Sequence, residues 1–327
     1  MCIPAARGGA AFPRIGRSAA AHVGTVNRRH RTVASSCYCR RLAGPVSISG
    51  GENMTERTDQ QAAAVRRSAP SRGAIVGLTA LVAATAAMAQ IQLHEYAHAV
   101  VALLLTGSAT VTGAMADHPP TTDANLALIA IAGPVFSLVL GASLYALGRA
   151  RASGYGRALL VWAGLASLQG AFGYVMISLV APVGDTAVAF ESWGVPMWGS
   201  VLAFVVGLAG MFLNAYLLCR EITRALSVPA DIVAASVWTW LVATGVLLVT
   251  YAAVALAAGA DGEILVWTVI GPGTALVFAP MATFFWRRTP HLERGYDVGR
   301  PGSVVAGFVV VLVIVLVHGF VGVELGG

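Results

Sequence analysis

Charge is what this sequence has least of: only 11% of its 327 residues are Asp, Glu, Lys or Arg, against about 25% in a soluble domain. An enlarged core cannot absorb a shortfall of that size, which excludes an ordinary soluble enzyme. Lysine is missing altogether, so all 21 basic residues are arginines. A net charge of +6 would suit nucleic acid if the cations were clustered. They lie instead in the N-terminal tail and in short loops between apolar runs, which orients a membrane protein. No nucleic-acid partner is expected. Cysteine is scarce too. Cys2, Cys37 and Cys39 fall in the tail and Cys219 at the end of an apolar run. They imply no disulfide framework, and Cys37-Tyr38-Cys39 is too short and isolated for a metal site.

What is present is apolar. Hydrophobic residues make up 57% of the chain, and several runs reach the roughly 20 residues a bilayer requires. Seven spans are expected, at about 74–106, 125–148, 158–181, 196–219, 232–257, 264–286 and 303–323. The fold class is therefore all-α, a polytopic transmembrane helix bundle preceded by a disordered tail. Trp162, Trp198, Trp267 and Trp286 fall near span ends, as interfacial anchors do. Gly271-Pro272-Gly273 must interrupt the sixth span, because Pro removes a backbone donor. Residues 1–72 are rich in Arg, Ala, Gly and Ser, without a sustained apolar period, and are expected to be disordered. No h-region marks a secretory signal. Met54 is a candidate true start, since Gly50-Gly51-Glu52 would be encoded by purine-rich codons like those of a ribosome-binding site.

Arginine placement predicts the topology. Arg66, Arg67 and Arg72 precede the first span, and Arg149, Arg151 and Arg157 separate the second and third. Arg220 and Arg224 follow the fourth, and Arg287, Arg288, Arg294 and Arg300 follow the sixth. The alternate loops carry Asp117, Asp123, Asp185, Glu191, Asp261 and Glu263. The amino terminus should be cytoplasmic and the carboxyl terminus outside, in a bacterial plasma membrane.

His94-Glu95-Tyr96-Ala97-His98 lies within the apolar first span. On a helix, residues four apart stack on one face about 6 Å apart along the axis. Two imidazoles so placed reach one zinc ion, while Glu95, about a hundred degrees round, can hold a water rather than the metal. Seven His and eight Glu produce this pattern by chance in roughly four of a thousand such chains. Its place within a span sharpens the signal, since intramembrane ionisable groups are costly. Zinc needs a third protein ligand. The candidates are Asp185, Glu191, His118, Asp117 and Asp123, all on the same predicted side as His94. Asp185 is preferred, because Pro182 and Gly184 let the backbone turn its carboxylate toward the bundle.

His94-Glu95-x-x-His98, then Ala132-Gly133-Pro134 opening the next span, then Asp185 just past the third, resembles the site-2 protease family of intramembrane zinc metalloproteases. The resemblance implies that His94, His98 and Asp185 bind one zinc ion and that Glu95 is the general base. It also implies a substrate that is a membrane protein or membrane peptide, reached within the lipid bilayer. It divides the chain into a three-span metalloprotease-like core at 73–190 and four accessory spans at 191–327. The match is divergent. Ala97 stands where the family usually has Gly, and Ser137 where it usually has Asn. Asp185-Thr186 replaces Asp-Gly, and the upstream Asn-x-x-Pro is missing. The family's zinc usually lies toward the cytoplasm, whereas the arginine pattern puts this site near the outer leaflet.

The expected activity is zinc-dependent hydrolysis of peptide bonds in membrane-embedded substrates. The segment 107–116 could offer an edge strand to an unwound substrate. The alternatives are a transporter, an inactive protease-like module, or a zinc protease whose third ligand is Glu191. Within the spans, Gln90, Gln92, Gln169, Asn214 and His318 are expected to form interhelical hydrogen bonds.

Overall fold

The computed structural model describes residues 71–151, 153–181, 184–259, 262–290 and 297–326. The expected tail at 1–72, the Met54 start, and Cys2, Cys37 and Cys39 lie outside the described residues, save for Ser71 and Arg72.

The first helix, α1 (Arg72–Thr106), is the axis of the bundle. Its 35 residues span about 52 Å, well beyond a hydrocarbon core of about 30 Å. Ser71 caps its start by accepting from the amide of Ala74, and Gly107, with φ +86°, closes its end by donating to the carbonyl of Leu103. Between the caps the buried surface is built from small side chains, Ala80, Ala83, Ala84, Ala86 and Ala87. Small residues let neighbouring helices approach closely, which is how helices associate where lipid removes the hydrophobic drive. Against α1 pack α2 (Asp123–Ala150), α3 (Tyr155–Ile177), α7 (Thr239–Ala257) and α10 (Pro301–Val321). A short helix, α4 (Asp185–Ser192), follows α3, and α5 (Met197–Thr223) packs on α3. α6 (Pro229–Val233) runs through a single π turn at Ala234–Trp238 into α7. Inside that turn, Thr239 Oγ1 donates to the carbonyl of Ala234.

Six helices are long and apolar enough to cross a membrane: α1, α2, α3, α5, the joined α6–α7 and α10. The chain is a multi-pass helix bundle, as its composition implies. The expected sixth span, 264–286, is broken. α8 (Gly262–Thr274) stops just past Pro272, and α9 (Phe278–Met281) and two single 3-10 turns carry the chain to Arg288. Pro272 lies inside α8, where it removes one amide from the ladder, and the helix ends two residues later. The broken segment still runs the length of the bundle. Thr268 contacts Met115, beyond the end of α1, whereas Thr289 bonds Cys219 near the end of α5. The opposite end is marked by the ion pair of Arg72 with Asp231 at 2.7 Å, which joins the starts of α1 and α6. α10 begins beside Tyr155 and ends at the β-strands, so Arg72 and the carboxyl-terminal strand lie at opposite ends of the bundle.

Those strands form a small antiparallel sheet in the order β2-β1-β3: β1 (Ser108–Thr112), β2 (Met115–Asp117) and β3 (Val323–Gly326). The segment expected to offer a free edge is mostly the central strand. Val111 of β1 pairs with Ala116 on one side and with Val323 on the other. The carboxyl terminus therefore occupies the edge that sequence alone leaves open. Gly113, with φ +61°, makes the β1–β2 turn, and its carbonyl accepts from the Gln92 amide. That bond ties the hairpin to the face of α1 near His94.

Trp162 departs from the expected anchoring role: it is 5% exposed and packs against Phe278 in the core. Trp198, at the start of α5, is 70% exposed, as an anchor is. The side chain of Trp267 lies outside the described ones.

Candidate metal centre

One helical turn of α1 places His94 above His98, with ring centroids 4.7 Å apart and planes at 81°. Both side chains are buried. The third member arrives from far along the chain. Gly184, with φ +86°, turns the backbone at the foot of α4, and Asp185 opens that helix facing the histidines. Its Oδ2 lies 2.9 Å from His94 Nε2 and 3.2 Å from His98 Nε2, and the two Nε2 atoms are 3.1 Å apart. The three atoms make a nearly equilateral triangle. Ligands about 2.0–2.1 Å from a tetrahedral zinc ion stand roughly 3.4 Å apart, close to these edges.

The outer nitrogens decide which way the lone pairs face. His98 Nδ1 lies 2.7 Å from the carbonyl of Ile129, which can only accept. That nitrogen therefore carries the proton, and Nε2 of the neutral ring is left bare toward Asp185. His94 Nδ1 lies 2.9 Å from Ser137 Oγ, which also accepts from the Gln90 amide at 3.4 Å. Ser137 can accept a hydrogen bond from His94 Nδ1 in the same way. With Nδ1 protonated and Nε2 bare in both rings, as metal ligation requires, three lone pairs would converge on one point. Only a cation, a proton or a metal, relieves their repulsion, and such outer contacts are typical of metal-binding histidines. Burial opposes ionisation of Asp185, but when protons rather than a metal occupy the two Nε2 atoms, their hydrogen bonds to Asp185 outweigh burial and hold its carboxyl well below the usual carboxylate range.

Two further residues shape the cradle. Tyr174, near the end of α3, stacks on the His94 ring at 5.1 Å and 9°. Gly133 of α2 backs onto both imidazoles: a Cβ there would stand 2.7 Å from His94 and closer still to His98 Nε2. The role of glycine in Ala132-Gly133-Pro134 is thus steric. It lets α2 press against the His-bearing face of α1. Glu95 lies beside the triangle without joining it. It is 8% exposed, within electrostatic reach of both histidines and Asp185. No hydrogen bond engages its carboxylate among the described residues.

Among the described residues, His94, His98 and Asp185 are the one group of three or more His, Cys, Asp or Glu whose ligand atoms converge, all within 4.8 Å. They can hold a metal ion. The other sequence candidates lie elsewhere. Glu191 is exposed in the last turn of α4, and Asp123 is exposed in the first turn of α2. Asp117 is exposed on β2, and His118 Nδ1 bonds the carbonyl of Pro119 at 2.8 Å. His318 joins the surroundings rather than the triangle. Its Nδ1 is 2.9 Å from Gln92 Oε1, and its ring meets Tyr96 edge-on at 5.7 Å. Asn214 bonds the carbonyl of Leu165 across α5 and α3. Tyr174 carried no signal in the sequence, where it is one more aromatic in an apolar run. Ser137 read there only as a departure from the family pattern.

No family model matches the chain, and neither a curated protein nor a solved structure matches it. The functional reading therefore stands on these residues and their arrangement.

Proposed function

We propose that the protein is a zinc-dependent intramembrane endopeptidase, a divergent relative of the site-2 proteases. The observation that carries the reading is the convergence of His94, His98 and Asp185 on one point, with the buried Glu95 beside it. Three of these four residues, His94, Glu95 and His98, sit on the most enclosed helix of a membrane bundle. Building such a cluster within a span is costly unless it serves a function.

His94, His98 and Asp185 hold the ion. Zinc bound there supplies Lewis acidity, lowering the pKa of water toward neutrality and polarising a carbonyl. Glu95 does the proton work: it accepts a proton from the attacking water and returns it to the amine that leaves. The carbonyl of Ile129 keeps the His98 imidazole in the ligating tautomer, and Ser137 holds the His94 ring from its outer side. Tyr174 and Gly133 wall the rings on two sides. The substrate class is a membrane protein or membrane peptide whose helix unwinds locally to present a peptide bond. The contacts that build the triangle come from α1 to α4. α5 to α10 serve as support, with α10 reaching α1 through His318 and Gln92.

The test is metal content in the detergent-purified chain, alongside cleavage of a membrane-embedded reporter peptide. Wild type should hold about one zinc per chain. His94→Ala and Asp185→Ala should lose it, and Glu191→Ala should keep it. Glu95→Gln should retain zinc while cleavage falls by at least about a hundredfold. Zinc loss with Glu191→Ala but not Asp185→Ala would move the third ligand. Zinc-free, well-folded wild type after resupply would defeat the reading and favour a transporter or an inactive module.

A further inference from the structure

At the other end of the bundle, and sharing no residue with the metal centre, lies a cavity of about 490 Å³. That is within the roughly 300–1,000 Å³ typical of ligand pockets. It sits between the end of α2, the start of α3 and the end of α5. The twelve residues from Ser137 to Arg149 put it about 18 Å along α2 from the His94 contact.

Its polar wall is organised around Glu221, which is 7% exposed. Arg224 donates to it at 2.8 Å, Tyr145 donates at 3.3 Å, Arg157 pairs with it closely, and Arg149 approaches to 3.6 Å. Arg151 also lines the cavity, and it is paired with no carboxylate among the described residues. The remaining acid on the wall is Asp297, one oxygen of which already accepts from the amide of Gly299. Among the described residues, four guanidinium groups thus face two carboxylates, an excess of two positive charges in a concave wall. The donor count is more lopsided still. Each guanidinium offers five N–H groups, whereas Glu221 has two oxygens, already shared by Tyr145 and the arginines. Arg149, Arg157 and Arg224 keep 36%, 23% and 21% of their side chains exposed, and all three line the cavity. Val161, Trp162 and Leu218 supply apolar lining on the same cavity.

From this we infer that the cavity is a binding site for a phosphate oxyanion, clamped by Arg149, Arg151, Arg157 and Arg224. Guanidinium forks match phosphate oxygens in pairs. Glu221 holds three of the forks in place and leaves their outer faces free. The phosphate belongs to the headgroup of an anionic phospholipid or to a soluble phosphate compound. This end of the bundle carries the arginine-rich loops, the side that faces anionic lipid when positive charge is retained in the cytoplasm. The site does not depend on the protease reading.

The experiment follows the melting midpoint of the full-length protein in neutral detergent at constant ionic strength. Short-chain phosphatidylglycerol, inorganic phosphate and short-chain diacylglycerol are titrated separately. Phosphatidylglycerol should raise the midpoint saturably and diacylglycerol should not. Inorganic phosphate acting alone would assign the site to a soluble compound, and its inactivity beside active phosphatidylglycerol would assign it to a lipid. The half-saturating concentration should rise about tenfold in Arg151→Gln and in Arg224→Gln. It should stay within twofold of wild type in Arg287→Gln, which removes the same charge outside the cavity. Arg151 makes no ion pair among the described residues, so its loss leaves the Glu221 cluster whole. The inference is overturned if neither phosphate ligand moves the midpoint, if diacylglycerol matches phosphatidylglycerol, or if Arg287→Gln weakens binding as much as Arg151→Gln.

Discussion

Ser137 Oγ lies 2.9 Å from His94 Nδ1, so a hydroxyl of the second helix steadies the orientation of a ring on the first. Outer contacts of this kind usually change metal affinity by about 10–100-fold when removed. Ser137→Ala should therefore weaken zinc retention by that factor, read by competition with a chelator of known affinity. The fold should persist, because serine and alanine differ by one oxygen at a site 1% exposed. Unchanged affinity would mean that the His94 ring is held by packing on Tyr174 alone.

Gly133 has no room for a side chain. Because the added Cβ would press on both imidazoles at once, Gly133→Ala should displace the rings or push α2 off α1. Zinc stoichiometry should drop below about half. Elemental analysis beside a helicity measurement separates the two routes, and full occupancy with normal stability would refute the steric argument.

Acid should strip the metal. Bound ligands must be deprotonated, so protons compete with zinc for His94, His98 and Asp185. The direction is fixed: affinity falls as pH falls, by roughly tenfold to a hundredfold per pH unit once both imidazoles compete. Dialysis against chelator between about pH 8 and pH 5 should show a monotonic loss. Retention that improves on acidification would rule out histidine ligation.

Glu221 anchors three arginines from three different segments. Glu221→Gln keeps the shape and removes the charge, leaving Arg149, Arg157 and Arg224 to repel one another. Removing one partner of a buried ionic cluster costs about 3–5 kcal/mol, and the partly exposed guanidiniums reduce that to about 2 kcal/mol here. The thermal midpoint should fall by several degrees while zinc content stays at the wild-type level. Loss of zinc in this variant would show that the two ends of the bundle are coupled.

Much of this was legible before any coordinates. The spans read directly because a bilayer demands about 20 apolar residues with satisfied backbones, and α1, α2, α3, α5, α7 and α10 lie where those runs lie. The break after Pro272 read directly too, since the loss of an amide is local chemistry. His94 and His98 were paired by helical period alone.

Other features needed the fold. Several acids were open as the third member of the metal group. The structure brings Asp185, 91 residues after His94, to the histidines because α3 delivers Gly184 beside Tyr174. Trp162 looked like an anchor and is core, because Phe278 comes across from a broken helix that no period marks. Segment 107–116 looked free because its partner, β3, comes more than two hundred residues later.

The sequence by itself determined the membrane class, the approximate spans, and two of the three residues of the candidate metal group. Those properties follow from hydropathy and from contacts within one helical turn, which neighbouring residues settle among themselves. Only the tertiary structure decided that Asp185 completes the group and that Gly133 and Ser137 shape it. It alone showed that β3 closes the sheet edge and that Glu221 gathers the arginines. Apart from Glu221 with Arg224, three positions apart at the end of one helix, those contacts join residues 35 to more than 200 positions apart, and their geometry is fixed by how whole helices pack against one another.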